Sequence, residues 1–568
     1  MQLCTYIYRR LHERGIRYAF GVPGSFVMPI WQEFSQAPEI VLARQETGAV
    51  FMADGWARAT GRLGVAVATI GPGLTNCVTG VASAYRDSVP LLVLTGQAPT
   101  ATFGRGAFLE SYVLDRSVSP GDLFGPITKA SMEIVDLANA RFQVDTAIDL
   151  ALAGRPGPVH LSVPFDLQET ELPEEQAPPG LEASEGPGIA RIGGAPGEAL
   201  SATAAALTRA RRPLILAGWG SVLSGAMEAV AELAVMVDAP VVSTTKSVSC
   251  LPGDHPLFLG HLGPGQRPDL VSTLRDYDPD TVLVLGASMS AYYTQPIGDI
   301  LKRAFVIRVD IEAEQLQLRQ RPQVAVHADV STATTALAAI LKGEGDAPSG
   351  TASSRTFVRE FQERGRAAVA AQATTFGDSV SMSGVVARLA ELLPATAVVV
   401  PDAGNHWLDT LSLFRAPLAG GLQLNCGLGA MGWAIGASIG MALARPDIRT
   451  VCVTGDGSIL MHGCELSVAA ERGANLLVVV FNNRSHARVR IHQQNVYAGD
   501  IRASDISDID FTRWLQAMGI PTFGIDGPDD VETGLRAALA TPGVVGVEVK
   551  CHPDEVPAGL RDWIGASA

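Results

Sequence analysis

Gly455-Asp456-Gly457 and Asn482-Asn483 are separated by a 24-residue spacer, and each follows an apolar run. RTVCVTG (449–455) leads into the first and LLVVVF (476–481) into the second. Continuous apolar runs of this length predict parallel strands buried on both faces. The spacer accommodates a turn, a helix and a returning strand. The two motifs are therefore expected at neighbouring strand ends, where open α/β sheets bind ligands. A diphosphate held through a divalent cation needs a hard carboxylate oxygen, a second oxygen ligand and a backbone free to approach. Asp456 offers the first and Asn483 the second, while Gly455 and Gly457 lack the Cβ that would hold phosphate away. An ordinary surface turn is the alternative reading of Gly-Asp-Gly. The spacing and both flanking strands argue against it.

The remaining chain keeps the same rhythm. Residues 1–166 carry GVAVATI (64–70), PLLVLTG (90–96) and VHLSV (159–163). Residues 202–341 carry PLILAG (213–218), APVVSTT (239–245), TVLVLGAS (281–288) and FVIRVD (305–310). Residues 378–568, ending in a tail, add TAVVVPD (396–402) and VGVEVK (545–550) to the two runs above. Strands alternating with helix-like stretches predict an α/β fold of three doubly wound parallel-sheet domains. Residues 167–201 and 342–377, rich in turn formers, are read as linkers. A chain of 568 residues, 47% apolar and 18% charged, has enough to bury for several cores. Its net charge of −15, without a Lys/Arg run, excludes nucleic acid and anionic membrane surfaces as natural partners. Residues 416–444 carry no charge, but Gln423, Asn425 and many glycines argue against a membrane span. The first residues, MQLCTYIYRRLHERG, hold no apolar signal-peptide core. Seven scattered cysteines without a CxxC pair fit reduced thiols and a cytoplasmic location.

Four further stretches bear polar groups suited to a cofactor. In RQETGAVFMADGWARATGR (44–62), Glu46 precedes a helix-like run, where alone it reads as a first-turn acid. IGPGLTN (70–76) puts Gly71, Pro72 and Gly73 between a strand and a helix. GLGAMGW (427–433) sets Met431 among glycines, and alone it reads as core filler. DAGNHW (402–407) brings Asn405 and His406 after a strand, and both side chains can donate to phosphate oxygen. Taken with the first two motifs, these stretches resemble thiamine-diphosphate (ThDP) enzymes from end to end. The likeness is to the acetolactate synthase, pyruvate decarboxylase and benzoylformate decarboxylase group.

That resemblance implies a pyrimidine-binding, a central and a diphosphate-binding domain, in that order. It implies Mg2+ on the side chains of Asp456 and Asn483 and the backbone carbonyl of Ser485. Asn405, His406 and Ser458 would bond the diphosphate, with Gly455 and Gly457 beside it. Met431 would wedge between the cofactor's rings and the Gly429 carbonyl would accept from its 4′-amino group. Glu46 would hydrogen-bond pyrimidine N1′, favouring the imino tautomer whose N4′ takes the proton from thiazolium C2. In the family this carboxyl serves a cofactor held by a second copy, which implies a homodimer or homotetramer. Some acetolactate synthases also bind FAD centrally. GWGSVLSG (218–225) has Leu223 where GxGxxG needs its last glycine, so FAD and a ligand-free domain both stay open.

On the substrate side, Ser25 in GVPGS matches a serine that contacts substrate carboxylate in benzoylformate decarboxylase. Leu109 stands where acetolactate synthases carry Gln, and Lys129 in PITKAS matches a lysine of theirs. The relay histidines of both decarboxylase types are missing, one of them replaced by Thr69. His486 and His492 are the remaining local imidazoles. The expected reaction is decarboxylation of a pyruvate-like 2-oxo acid with ligation of the remainder to an acceptor carbonyl. Release of a free aldehyde is the rival, and a non-catalytic binding protein on the same fold is the rival from another class.

Overall fold

The computed structural model describes residues 1–34, 37–110, 118–173, 197–343 and 353–560. Strands form where side chains can be buried on both faces. In the first sheet these are β1 (Tyr18–Gly21), β2 (Glu39–Leu42), β3 (Gly64–Ala68), β4 (Leu91–Gln97), β5 (Ala130–Glu133) and β6 (Val159–Pro164). They lie in the order β2-β1-β3-β4-β6-β5, all parallel. The central sheet uses β7 (Pro213–Ala217), β8 (Val241–Thr244), β9 (Phe258–Leu262), β10 (Thr281–Leu285), β11 (Phe305–Asp310) and β12 (Val324–His327). Its order is β12-β11-β10-β7-β8-β9, again parallel. A short antiparallel pair, β13 (Thr375–Phe376) and β14 (Ser379–Val380), precedes the third sheet. That sheet comprises β15 (Val398–Pro401), β16 (Thr450–Gly455), β17 (Leu476–Asn482), β18 (Thr522–Ile525) and β19 (Val544–Lys550), ordered β15-β16-β17-β19-β18. Three parallel α/β sheets therefore bear out the predicted fold class.

The strands that the apolar runs do not predict are mostly sheet edges. β2, β5, β12 and β18 are four residues each, and none is continuously buried. A strand with one open side needs no unbroken apolar run. Residues 342–377 also differ from the reading as a linker, because Ser353–Ala370 is an 18-residue helix. Residues 174–196 and 344–352, which fall in the two expected linkers, lie outside the described residues.

The chain divides into two compact units. One holds the first sheet with Gly427–Asp447 and Ser458–Leu476, and the other holds the second and third sheets. Within the first unit, the helices Glu46–Thr60 and Trp433–Ala444 cross very closely. A Cβ on Gly55 would fall on the Ala437 carbonyl, and one on Gly440 on the Met52 carbonyl. Glycine there sets the helix spacing rather than a turn. Arg58 locks the same crossing. It is paired with Asp54 and Asp87, stacks over Trp433 at 4.8 Å, and is buried with both acids. Such a buried set holds only while every member is present. No helix among the described residues is long and apolar enough to cross a membrane.

Candidate functional site

Three adjacent parallel strands, β15, β16 and β17, end at one edge of the third sheet. After β15 come Asn405 and His406, which open the helix Asn405–Leu413. After β16 comes Asp456, which opens the helix Asp456–His462. After β17 comes Asn483. All four are buried. Sequence spacing predicts neighbouring strand ends for Asp456 and Asn483, whereas Asn405 and His406 enter through the resemblance.

The Asp456 carboxylate is fixed by backbone. Its Oδ1 accepts the Gly457 N–H at 2.7 Å, and its Oδ2 accepts those of Asn483 at 3.0 Å and Ser485 at 3.3 Å. Asn483 Oδ1 accepts the Ser485 N–H as well, at 3.1 Å. Between them Arg484 takes a left-handed conformation, φ 57°, which lets Ser485 turn back to the acid. Burial pushes the Asp456 carboxyl upward, and the surrounding N–H groups hold it down. Of about four acceptor positions on the two oxygens, these three bonds leave one, on Oδ1.

Beside it stand polar atoms with no hydrogen-bond partner among the described residues. They are both side-chain polar atoms of Asn405 and Nε2 of His406. Two residues beyond Asp456, buried Ser458 Oγ is also unpartnered. Orphaned buried polar groups are costly and call for an explanation such as a ligand. Burial holds the His406 imidazole at a pKa of about 4, hence neutral. Gly455 has a second use that the sequence reading missed: a Cβ there would sit 3.0 Å from the His406 ring.

In the first unit, the ends of β1, β2 and β3 and the loop after β4 bring a second set together. Glu46 is buried and accepts from Asn76 Nδ2 at 2.9 Å. A Cβ on Gly73 would lie 3.3 Å from Glu46 Oε1 and 2.8 Å from Thr69 Cγ2. Gly24, next to exposed Ser25, packs on Thr69. Leu109 lies over Gly71, is 40% exposed and has φ 59°, a strained conformation for Leu. The loop before Trp433 leaves Gly429 exposed at φ 73° and Met431 half-buried.

Lys129 lies at the amino end of β5, the edge opposite Glu46, and its Nζ donates to the Ala153 carbonyl at 2.5 Å. His486 is half-buried at the start of the helix Ala487–Val496, whereas exposed His492 packs on Tyr497. In the central domain, Gly218 and Gly220 pack on Gly286, which explains both glycines without a flavin.

Sequence reasoning missed Glu465. This buried acid accepts the N–H groups of Arg44 at 3.0 Å and Gln45 at 2.9 Å, the two residues leading into the Glu46 helix. Gly48 leaves room for it. The only sequence signal is a lone acid in the otherwise uncharged stretch SILMHGCELSVAA. Burial, opposed by those two N–H groups and aided by the charge of Glu46, pushes its carboxyl up to about 7. A raised folded-state value means that its contribution to stability is complete below the ordinary 4.5 and is lost as pH rises through 7. Glu465→Gln is therefore expected to lose the part of the pH dependence that belongs to this group, about 3 kcal/mol across that window. Denaturant unfolding of both proteins from pH 5 to 8 measures the difference, and parallel curves would refute the assignment.

Comparison with known proteins gives three domain matches. Residues 1–115 match the family described as thiamine pyrophosphate enzyme, N-terminal TPP binding domain. Residues 200–337 match its central domain and 402–549 its C-terminal TPP binding domain. Among full-length relatives, the probable acetolactate synthase large subunit of Methanocaldococcus jannaschii is 30% identical over 98% of this chain and 93% of its own length. Acetolactate synthase isozyme 1 large subunit of Escherichia coli is 29% identical over 98% and 96%. The Lactococcus lactis acetolactate synthase large subunit is 29% identical over 98% and 94%.

Proposed function

The chain belongs to the thiamine pyrophosphate enzymes of the acetolactate synthase group, and on that premise we propose that it decarboxylates a pyruvate-like 2-oxo acid and ligates the remaining fragment to an acceptor carbonyl. The observation that carries this reading is the buried Asp456–Asn483 pair at adjoining strand ends, with the Asn405 amide and His406 Nε2 on the third strand end lacking partners among the described residues. The donor set suits a metal-bound diphosphate: hard oxygens for Mg2+ and neutral N–H groups for phosphate.

In this reading Asp456, Asn483 and the Ser485 carbonyl hold Mg2+. That carbonyl already accepts the Ala487 N–H at 2.7 Å, and its second lone pair is available. Asn405, His406 and Ser458 bond the diphosphate. Met431 and the Gly429 carbonyl orient the pyrimidine. Glu46, kept in position by Asn76, would hydrogen-bond the pyrimidine and exchange a proton with it. The bound cofactor supplies a carbon nucleophile and a sink for the electron pair released with CO2. The partnership of two copies rests on the resemblance, and a reducing, cytoplasmic setting rests on seven scattered cysteines without a CxxC pair.

Ligation is favoured over aldehyde release by the likeness to acetolactate synthases and by Thr69, which stands where a decarboxylase carries a relay histidine. Incubating the holoenzyme with pyruvate, with and without 2-oxobutyrate or an added aldehyde, is expected to yield a 2-hydroxy ketone product. Free acetaldehyde as the sole product in every mixture would reject ligation. Ser25, Leu109 and His486 are proposed to line the substrate side, where Leu109 in place of Gln gives an apolar wall.

A further inference from the structure

A cavity lies where the edge strand β9, the helix Ser353–Ala370 and the segment after the helix Asn405–Leu413 meet, all within the second unit. Its walls include Leu251, Phe258, Phe414 and Leu422, and two arginines, Arg267 and Arg415, enter it. The space open to the centre of a water-sized sphere is about 60 Å³, several times what one water needs.

The two arginine tips meet at the cavity. A Cβ on Gly365 would overlap Nη2 of Arg415 and Nη1 of Arg267 at once. The two guanidinium tips therefore stand within about 4 Å of each other, a repulsive distance that partial burial aggravates. Arg267 is held in place. It bonds Asp269 at 3.0 and 2.7 Å and the Phe361 carbonyl at 2.6 Å, and lies 3.6 Å from the Phe361 ring centre. Asp269 is shared with Arg364 at 3.3 Å. Arg415 makes no hydrogen bond or ion pair among the described residues. Burial, with the charges of Arg267 and Arg366 and against that of Asp269, pulls it down to about 10, so it stays protonated at neutral pH. Gly365 is itself a signal: glycine inside a helix costs stability, and here any side chain would displace both guanidinium groups.

We propose that this cavity binds a small organic carboxylate, its two oxygens bridging Arg415 and Arg267 and its short apolar body against Phe414 and Leu422. A planar carboxylate matches the guanidinium fork, and the apolar walls favour an organic acid over a bare oxyanion. The ligand ties β9 and the Ser353–Ala370 helix to the Arg415 segment, so binding stiffens the joint between central and C-terminal domains. The site is separate from the one assigned to ThDP and does not depend on that reading.

Isobutyrate, which lacks a 2-oxo group, is the probe. It is titrated into the ThDP- and Mg2+-saturated full-length protein by calorimetry, at constant ionic strength. Binding is expected for the wild type, at least tenfold weaker for Arg415→Lys, and absent for Arg415→Gln. Without ligand, Arg415→Gln is expected to melt no lower than the wild type, because a repulsion is removed. Gly365→Ala, which moves both arginines, is a second variant expected to lose binding. Equal affinity in wild type, Arg415→Gln and Gly365→Ala would overturn the proposal. So would a wild type that binds phosphate but not isobutyrate.

Discussion

Replacing Glu46 with Gln is expected to lower turnover of 2-oxo acids by about 10²- to 10⁴-fold while leaving the protein folded. The carboxyl is buried at the first turn of its helix and takes one hydrogen bond, from Asn76. A glutamine amide oxygen can accept the same bond, so the local structure has no reason to collapse. What the amide cannot do is hold and release a proton. The loss should therefore fall on kcat, with cofactor affinity changed far less. Glu46→Asp keeps the acid but withdraws it from Asn76 by one methylene, and should recover only part of the rate. Steady-state kinetics with pyruvate, paired with calorimetry of ThDP binding, separates the two effects. A Glu46→Gln enzyme as fast as its parent would remove Glu46 from the chemistry.

The contrast between Glu46 and Glu465 shows what a sequence exposes. Glu46 stands in a stretch whose neighbours are themselves distinctive, so resemblance singles it out. Glu465 lies in a spacer that reads as an ordinary helix, and its role arises from a backbone some 420 positions away, at Arg44 and Gln45. Long-range contacts of this kind leave no local pattern. Central strands such as β16 and β17 are legible because burial on both faces demands unbroken apolar runs. The edge strand β5 has no continuous burial, so ASME reads as nothing in particular. Gly455 was legible for a partial reason. The missing Cβ was assigned to phosphate, whereas its nearest neighbour is the His406 ring. The Ser353–Ala370 helix follows directly on the Gly- and Ser-rich run KGEGDAPSGTA, and no local signal marks where that run ends.

Asp456→Asn is expected to abolish both activity and the stabilisation that ThDP with Mg2+ gives. Both carboxylate oxygens accept backbone N–H groups, Oδ1 from Gly457 and Oδ2 from Asn483 and Ser485. An amide can satisfy only one side and turns its NH2 against an N–H on the other. The cation then loses its charged ligand and the turn loses a bond together. For the wild type, ligand at a hundred times its dissociation constant adds about 2.7 kcal/mol. Asp456→Asn should gain none of this in thermal unfolding, and a chelator should bring the wild type down to the same level. A variant stabilised as fully as the wild type would remove Asp456 from the cation. The same variant tests how the site is shared. If Glu46 of one copy serves the cofactor held by Asp456 of another, inactive Glu46→Gln and inactive Asp456→Asn should rescue each other on mixing. In each hybrid dimer one site carries both defects and the other carries none. Complete subunit exchange should then restore about a quarter of wild-type activity, since half the dimers are hybrids with one good site of two. If both residues serve one site within one chain, every site in the mixture carries a lesion and activity stays at zero.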